Sequence, residues 1–377
     1  MPNGPKQLSK LLSNSLSKTL TCYYPWAGSL KDNDTIECDD SGAEFLEVQI
    51  NSPMDKVAYH PDSNVKDLTF PKGVPWANSV DRALTVAQLS HFDCGGIALS
   101  VCMSHKVGDA SSVHCFLRDW AALTRSSNTI RPSPYFVEDS ILPSPIGPLV
   151  YPVHGSNMDK CVQKRFHFSS TKISALKSSI AVQNATSNEA VSALLYKCAA
   201  FSATATNSGS FKRSQLIQFS DLRAMISPRL SPNSIGNLLT MFSSPIYDNE
   251  EDLKLPELVT HIRTSKNNLS TRKNVEENEL AIEMLDANRT GESIFHKRKC
   301  DMYVSSNLCK FPLLQDLDFG FGKPIGASIA KGPFNKVMFL MRTYDGGIEA
   351  LVNLDEQEMS VFEHDEQLLE FATLTAH

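Results

Sequence analysis

Six prolines fall between Pro132 and Pro152, at positions 132, 134, 143, 145, 148 and 152. Each removes a backbone donor and fixes φ, so neither a helix nor a central strand persists there. Ordered structure must therefore form in two parts, on either side of a long surface linker. A chain of 377 residues is also more than one core usually fills. The expected division is a first domain at 1–131, a linker at 132–160 and a second domain at 161–377.

Composition narrows the function classes. Hydrophobic residues at 41% and charged residues at 21% are ordinary for a soluble globular chain. A formal charge of −6 argues against nucleic acid, whose phosphates need a concentrated basic face. The apolar run Ile97 to Met103 falls far short of the ~20 residues that span a bilayer. No apolar core follows the amino-terminal lysine, so no signal peptide is expected. Nine cysteines, an odd number with no C-x-x-C pair, point to a reduced, cytoplasmic compartment.

Local pattern supplies the elements. Leucines at 8, 12, 16 and 20, with Leu11 beside them, predict one helical face. Leu84 to Phe92 alternates, Asp93-Cys94-Gly95-Gly96 turns, and Ile97 to Met103 reads as a strand buried on both faces. Val113, Phe116, Leu117 and Trp120 place a helix after Asp109. Thr186-x-x-Glu189 is a capping box ahead of a helix with Val191, Leu194, Leu195 and Cys198 on its apolar face. Ser202 to Ser210 reads as a loop, and Thr264 to Lys299 as solvated helix. Val337 to Arg342 and Ile348 to Leu354 read as strands around Asp345-Gly346-Gly347. Strands and helices mix without a regular βαβ rhythm.

Ser104-His105-Lys106-Val107-Gly108-Asp109 lies where a strand ends and a helix begins, the position from which a scaffold presents reactive side chains. With ten histidines in an acid-rich chain, the His-x-x-x-Asp spacing alone is weak. His105 is a candidate general base for a hydroxyl attacking a carbonyl; a hydrogen-bonded core histidine is the alternative. Asp109 reads first as a helix N-cap or ion-pair partner. A metal site is not expected, since position 112 is Ser and His114 falls on another face. Asp318-Phe319-Gly320-Phe321-Gly322-Lys323-Pro324 matches neither phosphate-loop nor kinase spacing and reads as a tight structural bend. No G-x-S-x-G elbow or thiolate-stabilising motif exists, which leaves direct transfer by one base without an enzyme nucleophile.

Taken in order, Thr21-Cys22-Tyr23-Tyr24-Pro25-Trp26-Ala27-Gly28, His91-Phe92-Asp93-Cys94-Gly95-Gly96, His105-x-x-x-Asp109, Asp221-Leu222-Arg223, Ser234-Ile235-Gly236-Asn237, Ser305-Ser306-Asn307-Leu308-Cys309-Lys310-Phe311-Pro312 and Asp318 to Pro324 resemble the plant BAHD acyltransferases. Gln88 to Gly96 and Phe362 to Leu369 are most similar to its monoterpene indole alkaloid O-acetyltransferases. The resemblance starts at the family's first long helix, so the opening strand of the first domain is expected to be absent.

That resemblance implies an α/β fold of two chloramphenicol-acetyltransferase-like mixed-sheet domains joined by a long crossover, with His105 midway along a channel between them. Acyl-CoA, here acetyl-CoA, and an alcohol would approach from opposite faces. His105 would take the hydroxyl proton. Asp109 would turn away from substrate toward an arginine, for which Arg223 is the candidate. Asp318, Gly320 and Gly322 would be architectural, and Ser306 and Asn307 would belong to a loop lining the channel. The family usually carries Trp where Asn307 and Phe321 stand. The implied protein is a monomer with acyl-CoA and a small-molecule alcohol as its partners, no nucleic acid, no membrane, no metal and no tightly bound cofactor. A non-enzymatic binding relative, and an esterase using the same histidine, are the competing readings.

Overall fold

The amino-terminal leucines set the first element. Helix α1 (Pro5–Cys22) turns Leu12, Leu16 and Leu20 into the core, with Leu8 packed against its margin. Leu11, expected beside them, is 38% exposed. One position from Leu12 is a rotation of about 100° around a helix, which carries it off the stripe. The computed structural model describes residues 4–32, 35–56, 64–74, 83–126, 131–137, 161–225, 229–271, 299–332 and 334–375. Most of the proline-rich linker (138–160), and residues 272–298 of the expected solvated helix, lie outside these.

In the first half, β1 (Glu44–Ile50) pairs parallel with β2 (Thr85–Phe92), which pairs antiparallel with β3 (Ile97–Met103). Gly95, at φ +83, makes the hairpin turn. Strand β2 is buried almost throughout, but β3 is not buried on both faces as expected; only Ser100 is. The reason is topological: β3 is the edge of the three-stranded sheet, and its side chains face an open cavity. Helix α2 (Ala110–Arg125) crosses α1, with Trp120 Nε1 donating to Ser15 Oγ at 3.0 Å. Phe116 meets Tyr23 and Trp26 edge-on, each at 5.2 Å. Burying such a ring contributes about 1.5–3 kcal/mol.

The second half is built on β4 (Cys161–Phe168), α3 (Ser170–Ile180), α4 (Ser187–Thr206), β5 (Ser214–Asp221), β6 (Leu239–Ser243), α5 (Leu255–Thr271), β7 (Asp301–Asn307), β8 (Val337–Arg342), β9 (Ile348–Asp355), α6 (Glu356–Phe362), α7 (Glu366–Phe371) and β10 (Thr373–Leu374). Its seven strands run in the order β6-β5-β7-β8-β9-β4-β10. Strands β5, β7 and β8 are mutually parallel and the other pairings antiparallel, hence the missing βαβ rhythm. The capping box forms as spaced, Glu189 N meeting Thr186 Oγ1 and Thr186 N meeting Glu189 Oε2.

Helix α4 runs on through Thr206, so residues 202–206 are helix and not loop. The hydroxyls of Ser202, Thr204 and Thr206 donate back to the carbonyls of Cys198, Ala200 and Ser202, at 3.0–3.1 Å. Ser202, Ala203 and Thr204 are buried, so tertiary packing overrides their weak helix preference. No helix among the described residues is long and apolar enough to cross a membrane.

The halves interlock. Ile235 and Phe319, from the second, are members of the first half's aromatic core. A two-residue parallel ladder joins Tyr135–Phe136 to Ser234–Ile235.

Candidate active site

Strand β3 closes with Ser104 N donating to Leu84 O at 2.8 Å, and the chain then turns through 105–107. Val107 is buried in the aromatic core. That burial fixes the turn and leaves His105 exposed toward the cavity, its ring without a hydrogen bond among the described residues. Gly108 follows for want of space: a Cβ there would stand 2.6 Å from Ser112 Cβ and 3.0 Å from Trp26 Cζ2.

Asp109 is the N-cap of α2, accepting from Ser112 N at 2.9 Å. Its two oxygens also face Arg223, with Nη1 to Oδ2 at 2.7 Å and Nη2 to Oδ1 at 3.0 Å. Leu238 N donates to Oδ2 at 3.2 Å. The carboxylate is turned into the protein and is 1% exposed. Arg223 also donates to Ser234 O and Asp221 Oδ1. Burial opposes its charge, but Asp109 outweighs this and leaves the guanidinium more firmly protonated than usual. Asn237 Nδ2 donates to the carbonyl of His105. The histidine loop is thus pinned by second-half residues while its ring stays clear.

The second motif forms the bend its glycines require. Gly320 and Gly322 adopt φ +97 and +112, and both donate to Asp318 Oδ1, at 2.8 and 3.2 Å. Phe319 packs edge-on to Trp120 at 5.1 Å and stacks with Phe321 at 6.1 Å. Arg125 donates to the carbonyl of Asp318. Asp318 organises the turn, while Phe319, Phe321 and Gly322 line the cavity.

That cavity measures about 1950 Å³, and both halves contribute its walls. Its apolar lining includes Leu99, Val101, Met103, Leu308, Phe334 and Phe339. Ser306 faces it, but Asn307 does not: its Oδ1 accepts from Cys309 N at 3.0 Å, because successive strand side chains point to opposite faces. Leu308 holds the lining position that the sequence reading gave to Asn307.

Titratable side chains that no motif marks also line the cavity. His114 stands over Phe311 with Nε2 3.4 Å from Asp316 Oδ2, and burial pulls its ring below the ordinary imidazole range despite that acid. Lys66 and Arg165 reach the wall from opposite halves of the chain. Neither lies in a periodic or motif-bearing segment, so only the tertiary fold reveals them. No group of three or more His, Cys, Asp or Glu placed to hold a metal occurs among the described residues.

Comparison with known proteins gives consistent results. The profile described as the Transferase family matches residues 3–369. Acyltransferase Pun1 of Capsicum frutescens is 43% identical, over 97% of this chain and 84% of that protein. Deacetylvindoline O-acetyltransferase of Catharanthus roseus is 36% identical, over 96% and 85% respectively. Among solved structures, vinorine synthase superposes with a TM-score of 0.81 at 27% identity, covering 99% of this chain and 88% of that one.

Proposed function

Because the chain belongs to the Transferase family, the BAHD acyltransferases, and is an acyltransferase, we propose that it moves an acetyl group from acetyl-CoA to a hydroxyl of an alkaloid or other plant specialised metabolite, with His105 as general base. The observation that carries this reading is the combination at His105: a ring open to a large cavity on a loop anchored by Asp109 and Arg223. A base must reach its proton, and its backbone must not drift.

The imidazole takes the hydroxyl proton as the alcohol oxygen attacks the thioester carbonyl. The C–O bond forms and the carbonyl electrons move to oxygen. When the tetrahedral intermediate collapses, the C–S bond breaks, and the thiolate of CoA departs and takes the proton from the imidazolium. Asp109 and Arg223 hold the loop and touch no reacting atom in this scheme. The apolar lining suits a bulky, mostly hydrocarbon acceptor. On this reading residues 1–131 and 161–377 are the two acyltransferase domains and 132–160 the crossover, in a cytoplasmic monomer that uses acyl-CoA as co-substrate and no tightly bound cofactor.

Acetyl-CoA supplied with hydroxylated indole alkaloids, with wild type and His105→Ala, is the test. The variant should transfer ~10²–10⁴ times more slowly. Equal rates would remove His105 from the chemistry, and free acetate without ester would mean that water is the acceptor.

A further inference from the structure

A second imidazole reaches the cavity that His105 faces, and its surroundings are different. His114 sits in the second turn of α2, and its neighbours Val113 and Leu117 line the same wall. Its ring lies over Phe311 at 5.3 Å, and only 11% of the side chain is exposed. Phe311 and Leu313 complete a hydrocarbon patch around it.

The two ring nitrogens are not equivalent. Nε2 is buried without a hydrogen bond and faces Asp316 Oδ2 at 3.4 Å. A carboxylate on that side favours the tautomer with its proton on Nε2. Nδ1 then carries the lone pair. It has no hydrogen bond among the described residues and is not sealed from solvent, so it is the polar atom this ring offers the cavity. Burial, and then the charge of Arg118, hold the imidazole below its ordinary range against the pull of Asp316, which keeps that lone pair free near pH 7. Arg118 itself is committed to Asp119 at 3.0 Å and to Asn233 at 3.2 Å. The result is one hydrogen-bond acceptor set in an apolar patch. A ligand that covered it without donating would leave Nδ1 desolvated and unpaired.

We propose that His114 Nδ1, with its tautomer set by Asp316, accepts a hydrogen bond from a second polar group of the acceptor, an O–H or a protonated amine N–H, and so selects which acceptors are acetylated. The inference rests on the acyltransferase reading above. An oxyanion would meet a lone pair with a carboxylate behind it, so the phosphates of acyl-CoA are excluded from this spot. The acceptor is then held at two points, its reacting hydroxyl at His105 and its second donor at His114.

The test measures kcat/KM with acetyl-CoA for two matched pairs of hydroxylated indole alkaloids. One pair is a diol and the ether in which only the unacetylated hydroxyl is methylated. The other is a tertiary-amine alcohol and its quaternary N-methyl salt, which keeps the charge and loses the N–H. Wild type should favour the free member of one pair, about three- to tenfold for an O–H and about tenfold or more for a charged N–H. The pair that shows the preference identifies the donor. His114→Phe keeps a ring over Phe311 and should erase the preference. His114→Asn, whose Oδ1 can stand where Nδ1 stood, should restore most of it, which a merely structural role would not do. His114→Leu carries the same expectation as His114→Phe should that variant not fold. Transfer with equal wild-type efficiency across both pairs overturns the proposal and leaves the acyltransferase reading intact. A preference that survives in His114→Phe or His114→Leu, or a loss carried by the KM for acetyl-CoA, also overturns it. No transfer by wild type to any of the four alkaloids overturns both.

Discussion

Asp109→Asn separates holding the catalytic loop from doing the chemistry. The carboxylate takes five hydrogen bonds: Arg223 Nη1 at 2.7 Å and Nη2 at 3.0 Å, Ser112 N at 2.9 Å, Ser112 Oγ at 3.0 Å and Leu238 N at 3.2 Å. Asparagine keeps the size and caps a helix about as well, so the bond from Ser112 N survives. What disappears is the charge opposite a guanidinium whose side chain is 5% exposed, and the amide NH2 in place of Oδ2 now faces two donors, Arg223 Nη1 and Leu238 N. Breaking one partner of a buried pair typically costs about 3–5 kcal/mol. Asp221, 3.0 Å from Nη1, and the Ser234 carbonyl remain as partners, so the lower end, about 3 kcal/mol, is expected. Asp109→Ala should add about 1 kcal/mol for the cap. Urea unfolding followed by tryptophan emission is a suitable assay, because Trp26, Trp76 and Trp120 all precede the proline-rich stretch. Below the unfolding midpoint, Asp109→Asn should retain far more transfer activity than His105→Ala. Stability within about 0.5 kcal/mol of wild type would refute the buried-pair argument. Full stability with activity as low as His105→Ala would put Asp109 in the chemistry instead.

Phe319→Ala should cost about 3–5 kcal/mol by opening a hole against Trp120, measured by the same urea titration; a cost under 1 kcal/mol would mean the bend does not hold the halves together. Glu189 is held below the usual carboxylate range: burial opposes its charge, but the Arg263 hydrogen bond at 2.9 Å and the Thr186 N–H outweigh it. Its stabilising effect is therefore present above about pH 4.3 and lost as pH falls through the lower folded value. Glu189→Gln should cost about 1–2 kcal/mol at pH 7, the gap from wild type narrowing below pH 4 in a pH series of thermal melts. A gap that widens in acid would reverse the assignment.

Features written in local spacing were legible before the fold was known. The 105–109 loop, the N-cap at Asp109, the capping box at Thr186 and the hairpin at Gly95 each depend on neighbours within a few residues. Long-range geometry was not legible. Strand β3 reads as buried because its residues are apolar, but its edge position leaves it half-covered. The 202–206 segment reads as a loop because Ser and Thr are weak helix formers, but its burial and back-bonded hydroxyls keep it helical. Asn307 against Leu308 is a question of strand phase, which a strand's last residues do not announce. The Lys66 ammonium donates to Gln163 Oε1 from nearly a hundred positions away in the chain, and no local pattern joins them.

The bend at Gly320 seats an aromatic from one lobe in the hydrophobic interior of the other, and Arg223 ties the same lobes a second time. Clam-like opening would have to tear out both fastenings at once. Parting the halves would therefore bare the Phe319 ring and strand the buried guanidinium in the same movement.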